Sequence, residues 1–316
     1  MVSPEIKMQF TNNFQISGHE TFVLRKLWLP KVFRYVKTAI DSGITPSFSG
    51  EAPIVELGLG KNMLSSAKFW SIATGMLTKK DLHPTQLANF LFGENGADPH
   101  CSSLTTQWLI HWNLTSAPSS LTIFWFLFNQ VNKPLFSRES LFESFQTFVQ
   151  KYYPKKVSTN TLHRDVEIAL RAYLPVVSST SSSLSEDSID NFFAGLELMR
   201  LFSRDSISIR REDRKTLNNW LFAYCLMKFW EGHSVPLSSL NFVQISHEIG
   251  SPGKIFKLSE EDIVRRLEQL EEMTKGSLIW TEQAGLKVLL RTKEALTNPD
   301  EFSQELLAKS FGVEHE

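Results

Sequence analysis

The chain has 316 residues, with 33 Lys and Arg against 34 Asp and Glu, so its formal net charge is −1. Apolar residues make up 42% and charged residues 21%, ordinary globular usage that excludes a disordered or fibrous chain. Near-neutrality also excludes a bulk polyanion binder, so any nucleic-acid surface must be a local patch. Two cysteines, Cys101 and Cys225, are too few for a disulfide framework or a cysteine-built zinc module and point to a reducing cytoplasm. No secretory signal opens the sequence. Its most apolar run, Leu121–Val131, is shorter than the about 20 residues a bilayer requires, so no membrane role is expected.

In chain order, Ser17-Gly18-His19-Glu20 reads as the start of a helix. Phe22, Leu24, Leu27, Trp28, Val32, Phe33, Val36 and Ile40 then form an apolar stripe, interrupted near Pro30. Its polar side carries Arg25, Lys26, Lys31, Arg34 and Lys37. A loop over Asp41–Pro53 leads to a short helix, a Gly58/Gly60 turn and a longer helix from near Lys61, the silhouette of a helix-turn-helix. Helices follow at 84–92, 104–112, 119–131, 138–152 and 161–173, with prolines near their boundaries. The Ser/Thr run of Val177–Ser185 cannot bury a core and reads as a linker or exposed loop.

Further on, 188–201 and 215–230 read as helices, and 242–245 with 255–258 as short strands around Gly250–Gly253. Ser259 caps a helix to about Met273 whose first turn holds Glu260, Glu261 and Asp262, where the helix dipole favours negative charge. Segments 278–281 and 286–291 pair as a hairpin. The expected fold is therefore mainly α: a helical bundle with helix-turn-helix or winged-helix-like modules and short β hairpins near the C-terminus. Three parts are expected: 1–176, a Ser-rich 177–187, and 188–316.

Charge is uneven. Residues 1–80 hold ten Lys/Arg against five Asp/Glu, and 200–215 hold six basic against three acidic residues. Gly58-Leu59-Gly60-Lys61 lacks the first glycine of a nucleotide phosphate loop, and Asn62 replaces its Ser/Thr. A single phosphate at that helix start remains sensible chemistry, as does a tight turn that lets helices pack closely. His19-Glu20 could hold a divalent ion with Glu56 or Asp98, which phosphodiester cleavage would use; capping and a satisfied buried histidine explain the same residues. His111, between Trp108 and Trp112, reads as a packed or surface histidine and not a ligand, and Asp165 and Glu167 as ion-pair partners of Arg171. Arg265, Arg266, Lys287 and Arg291 could reach phosphates, but the acidic helix that bears the two arginines argues for a C-terminal module that binds protein or frames the fold.

The segments Ser17-Gly18-His19-Glu20-Thr21-Phe22, Leu24-Arg25 and Leu57-Gly58-x-Gly60-Lys61-Asn62-Met63 carry a resemblance. It continues through Arg164-Asp165-Val166, Phe222-Ala223-Tyr224, Ser251-Pro252-Gly253 and the Trp280/Gly285-Leu286 stretch. Together these resemble the bacterial domain of unknown function 4007 family, SspB-like components of DNA phosphorothioation systems. The resemblance implies a helical, DNA-acting protein that works beside a cysteine desulfurase, an ATPase and an ATP-pyrophosphatase-type sulfur transferase. It further implies either a nicking endonuclease or a non-catalytic DNA-binding adaptor that docks those partners, and it carries over no catalytic positions. From the residues alone, a nickase using Mg²⁺ or Mn²⁺ would have His19 and Glu20 as its candidate catalytic residues. The expected DNA surface is Arg25, Lys26, Lys31, Arg34, Lys61, Asn62 and Lys68.

Overall fold

The computed structural model describes residues 14–117, 120–174, 191–203, 205–233, 237–283, 285–292 and 298–313, and the Ser-rich 177–187 lies outside them. It divides into two compact units, Met1–Leu127 with Lys133–Ile209, and Phe128–Asn132 with Arg210–Glu316. Both are mostly helical, and each carries one small antiparallel sheet.

In the first unit the expected helix start at Ser17 is a loop. Ser17, Gly18, Glu20 and Thr21 all have positive φ (59°, 107°, 46° and 64°), which no right-handed helix tolerates. Gly18 is required twice over, because a Cβ there would lie 2.6 Å from the Phe69 ring. Helix α1 begins only at Trp28 and runs to Asp41, burying Leu29, Val32, Phe33 and Val36. Pro30 therefore falls in the first turn, where its missing N–H removes no intrahelical bond, and it does not interrupt the helix.

Helix α2 (Ala52–Leu57) ends at Gly58 in the left-handed region, φ 64°, and α3 (Lys61–Ala73) follows, as the glycine turn suggested. Next come α4 (Gln86–Phe92), capped by Thr85, and α5 (Leu104–Thr115), capped by Ser103. Residues 121–129, which include α6 (Thr122–Asn129), are buried without a break, the mark of a helix enclosed on every side. Strand β1 (Leu135–Ser137), α7 (Arg138–Tyr152) and α8 (Thr159–Tyr173) complete the middle of the chain. The core is aromatic. Trp70 meets Phe124 edge-on at 5.7 Å, and Tyr173 stacks on Phe193 at 4.9 Å. His111 is a packed histidine, its Nδ1 2.7 Å from the Tyr173 hydroxyl.

The helix expected over 188–201 is not there among the described residues. A single 3₁₀ turn at Ala194–Leu196 gives way to β2 (Arg200–Leu201) and β3 (Ser206–Ser208), which pair with β1 in the order β1-β3-β2. One sheet thus forms in mid-chain and not near the C-terminus.

The second unit is built around α9 (Asn219–Glu231), whose Leu221–Met227 are all buried. The strand expected at 242–245 is a helix, and 255–258 is the last residue of another helix, a turn, and Leu258 in a single bridge to Glu212. Asn241 and Gln244 form a capping box that starts α10 (Phe242–His247), and Ser251 with Pro252 starts α11 (Pro252–Ile255). The strand lies just upstream, as β4 (Ser239–Asn241). Helix α12 (Glu260–Met273) has the Ser259 cap and the acidic first turn expected of it. The hairpin β5 (Leu278–Gln283) and β6 (Leu286–Arg291) joins β4 in the order β4-β6-β5, before α13 (Pro299–Ser310). The order helix, strand, helices, two strands therefore occurs twice, with the third strand central in both sheets. Cys101 and Cys225 are both buried thiols, one in each unit.

Candidate nucleic-acid interface

Helices α1, α2 and α3 pack on one another, and their mutual contacts place the basic side chains. Lys31 reaches from α1 to donate to the Leu57 carbonyl (3.4 Å), so its ammonium sits at the α2 end that leads into Gly58–Lys61. Arg34, three residues further along α1, is exposed. Lys61 and Asn62 open α3 and are exposed. Lys61, Ser65 and Lys68 follow one another at helical spacing. Lys68 lies 5.5 Å from the centre of the Phe48 ring, and Phe48 packs edge-on against Tyr35 of α1. Burial, with the nearby charge of Glu56, pushes the Tyr35 hydroxyl above its ordinary range.

No side chain caps the start of α3, and its first turn holds no acidic residue. Gly60 has φ −63° and no atom within 4 Å of where its Cβ would stand, and Gly58 has equally open space. Close helix packing thus explains neither glycine. Gly58 serves the left-handed turn, and the open flank of Gly60 leaves the α3 amides approachable. Among the described residues, Lys31, Arg34, Lys61 and Lys68 have no carboxylate within ion-pair distance, whereas Lys37 is paired with Asp41. Glu51, which precedes α2, and Glu56 within it are exposed acids of this region.

Arg25 and Lys26 precede α1 and are not part of that helix. The Arg25 guanidinium lies 5.7 Å from the centre of the Trp28 ring, and its backbone bridges to Asn191. Lys26 is close enough to Cys101 for its charge to bear on that buried thiol.

His19 is 2% exposed. Its Nε2 lies 2.9 Å from Asp165 Oδ1, and its Nδ1 accepts from the Thr21 amide at 3.1 Å, which fixes the tautomer with the proton on Nε2. The second Asp165 oxygen accepts from the Ser17 amide, and the Ser66 hydroxyl donates to the His19 carbonyl. Asp165 therefore ties the 17–21 loop to α8 and does not pair with Arg171, which instead donates to the Thr21 carbonyl at 3.4 Å. Glu167 pairs with Arg138, not Arg171. Asp98 spends both oxygens on Ser102, Ser103 and Thr106. The donor set considered for a divalent ion thus does not fit one: His19 and Asp98 are engaged internally, while Glu20 and Glu56 are exposed. Among the described residues no three His, Cys, Asp or Glu side chains gather as metal ligands.

The sequence offered no sign of the His19–Asp165 contact, since 146 residues separate the partners. In the second unit, Arg265 pairs with Asp213 and Asp262, and Arg266 is buried against Asp262. Arg266 is thus not available as the phosphate contact considered for it, and Arg265, though half exposed, is already ion-paired. No helix among the described residues is long and apolar enough to cross a membrane.

The family described as "Protein of unknown function (DUF4007)" matches residues 16–310. No curated protein matches the chain. Two solved structures are similar. A magnesium ion-bound SspB crystal structure matches at 22% identity with a TM-score of 0.82, over 98% of this chain and 91% of that one. An SspB crystal structure matches at 24% identity with a TM-score of 0.80, over 94% and 88%.

Proposed function

The chain belongs to the DUF4007 family, and from that membership we propose that it is the DNA-binding component of a bacterial DNA phosphorothioation system. The observation that carries this reading is the set Lys31, Arg34, Lys61 and Lys68 on the packed helices α1 and α3, free of carboxylate partners among the described residues, with Lys61 at the uncapped start of α3 and Lys31 reaching the α2 end that leads to it. Lysines and arginines that neutralise phosphates release counterions, and helix amides supply the directional donors. Asn62 adds a neutral donor beside them, while the Ser65 hydroxyl donates to the Lys61 carbonyl. The short helix, glycine turn and longer helix of α2–α3 support a helix-turn-helix-like reading of this face. The element order and strand order repeated in mid-chain and in the second unit support a winged-helix-like reading of both. The likeness in fold to SspB supports the same system, in which a cysteine desulfurase, an ATPase and a sulfur transferase would be partners.

A second reading, DNA nicking with a divalent cation, rests on the magnesium ion bound to one SspB structure. In this chain Glu20 is the member of the His19-Glu20 pair open to solvent; His19 positions the loop that presents it. Anisotropy with a labelled DNA duplex tests the first reading. Lys61→Glu and Arg34→Glu should each weaken binding and flatten its salt dependence, and unchanged binding in both would refute it. Supercoiled plasmid with Mg²⁺ or Mn²⁺ tests the second: open circles from the parent protein and none from Glu20→Ala are expected.

A further inference from the structure

The second unit keeps most of its buried arginines in carboxylate company. Arg214 has Glu212, and Arg266 has Asp262. A group at the α10–α11 corner departs from that pattern. Arg211, on the extended segment before α9, donates to the Ser246 hydroxyl (3.0 Å) and the Ser246 carbonyl (2.6 Å). Lys254, on α11, donates to the His247 carbonyl at 3.5 Å. Lys257 is buried, with φ 52°, and its ammonium donates to the Phe128 carbonyl at 2.8 Å. Each of these three cations contacts backbone carbonyls or a hydroxyl, and none has a carboxylate within ion-pair distance among the described residues. His247 stands at the same corner, exposed, with Glu260 3.9 Å from its Nε2.

Helix C-termini attract cations, which accounts for one ammonium or guanidinium at the end of α10. It does not account for Arg211 and Lys254 together on the last two residues of α10, with Lys257 behind them and a histidine beside them. The crowding is unfavourable as it stands. Burial and the neighbouring cations push Lys257 down to about 7, and Arg211, Lys254 and His247 are each shifted toward losing their proton, burial being the largest cause in every case. Arg211 and Lys254 remain half-exposed, so a ligand can reach them from solvent.

We propose that Arg211, His247 and Lys254, backed by Lys257, form a phosphate-binding site in the second unit, and that its ligand is a backbone phosphate of the DNA strand. A phosphate supplies the missing negative charge and accepts from the unused N–H groups of Lys254 and from His247. Glu260 is the carboxylate that faces the site, and it opposes the ligand. The source of the phosphate rests on the DNA-binding reading; the site itself does not.

The experiment uses the full chain and two probes. With a labelled duplex, Lys254→Gln should weaken binding about three-fold or more and reduce the log–log salt slope by about 0.9, one phosphate contact. Glu260→Gln should tighten binding, a gain that a purely structural corner does not predict. With inorganic phosphate, the melting temperature of the parent protein should rise and that of Lys254→Gln should rise less. If Lys61→Glu abolishes duplex binding while Lys254→Gln and Glu260→Gln leave it unchanged, and phosphate stabilises parent and variant alike or neither, the site is refuted and the DNA reading stands. If no duplex binds but phosphate stabilises the parent selectively, the site stands, its ligand is a free phosphate, and the DNA reading falls.

Discussion

Asp165 is the residue on which the first unit's candidate loop depends most directly, and removing its carboxylate tests that dependence. Asp165 is fully buried and accepts from His19 Nε2 and from the Ser17 amide. Asp165→Ala leaves both donors without a partner, His19 inside the fold and Ser17 at its half-buried edge. An unsatisfied buried donor costs about 1–3 kcal/mol, and the histidine bond is charge-assisted, so a loss of about 3 kcal/mol is expected. For a unit of this size that corresponds to roughly 6–12 °C in melting temperature. Asp165→Asn keeps an acceptor for His19 but turns an amide toward Ser17 N–H, and it should lose less. Calorimetry on parent, Asp165→Ala, His19→Ala and the double variant measures the coupling, and the two single losses should be strongly non-additive. An Asp165→Ala protein that melts with the parent but fails to nick plasmid DNA would overturn the reasoning, because the pair would then serve chemistry and not the loop.

Other outcomes follow from the same geometry. Gly58→Ala, at φ 64°, should cost about 1 kcal/mol in urea unfolding, whereas Gly60→Ala, with ordinary φ and open space, should be neutral in stability. Lys257 has a folded pKa of about 7, below the 10.5 of the unfolded chain, so between those values the unfolded state binds more protons. Stability from this group should therefore rise with pH across that window, by roughly 1 kcal/mol per pH unit, and urea midpoints of Lys257→Met should lack that rise. The Cys101 and Cys225 thiols, both pushed up by burial, should resist a thiol reagent in the native protein and react only on unfolding. Rapid native labelling at either would contradict the burial described.

Where the sequence held a complete local signal, the element was legible. Helix α7 begins at Arg138 and ends at Tyr152 as its periodicity and flanking prolines indicate, and α12 starts at the Ser259 cap. The hairpin β5–β6 followed from Gly285. The strand expected over 242–245 is helix α10, although its Asn241–Gln244 capping box is present in the sequence, and the strand expected over 255–258 begins on the last residue of α11, whose Ser251-Pro252 start is also present. Apolar runs of four residues carry no period long enough to separate helix from strand. The 17–27 segment was misread for a different reason. Its apolar spacing is helical, and tertiary anchors, among them His19–Asp165, Ser66 to the His19 carbonyl and the close approach of Gly18 to Phe69, hold Ser17, Glu20 and Thr21 in the left-handed region. The basic character of α1 and α3 was legible, but which cations converge was not. Lys31 joins the α3 start through the Leu57 carbonyl, whereas Arg25 lies along Trp28.

Residues 128–132 have a consequence for anyone who would excise the carboxy-terminal third. They precede the rest of their unit by some eighty positions, yet the Phe128 carbonyl receives the Lys257 ammonium and the Asn129 side chain receives the Gly250 amide. A fragment that starts at Arg210 would leave an interior ammonium with no acceptor and a corner amide with no anchor. Supplying the missing pentapeptide in trans, or splicing it ahead of Arg210, should restore the fragment.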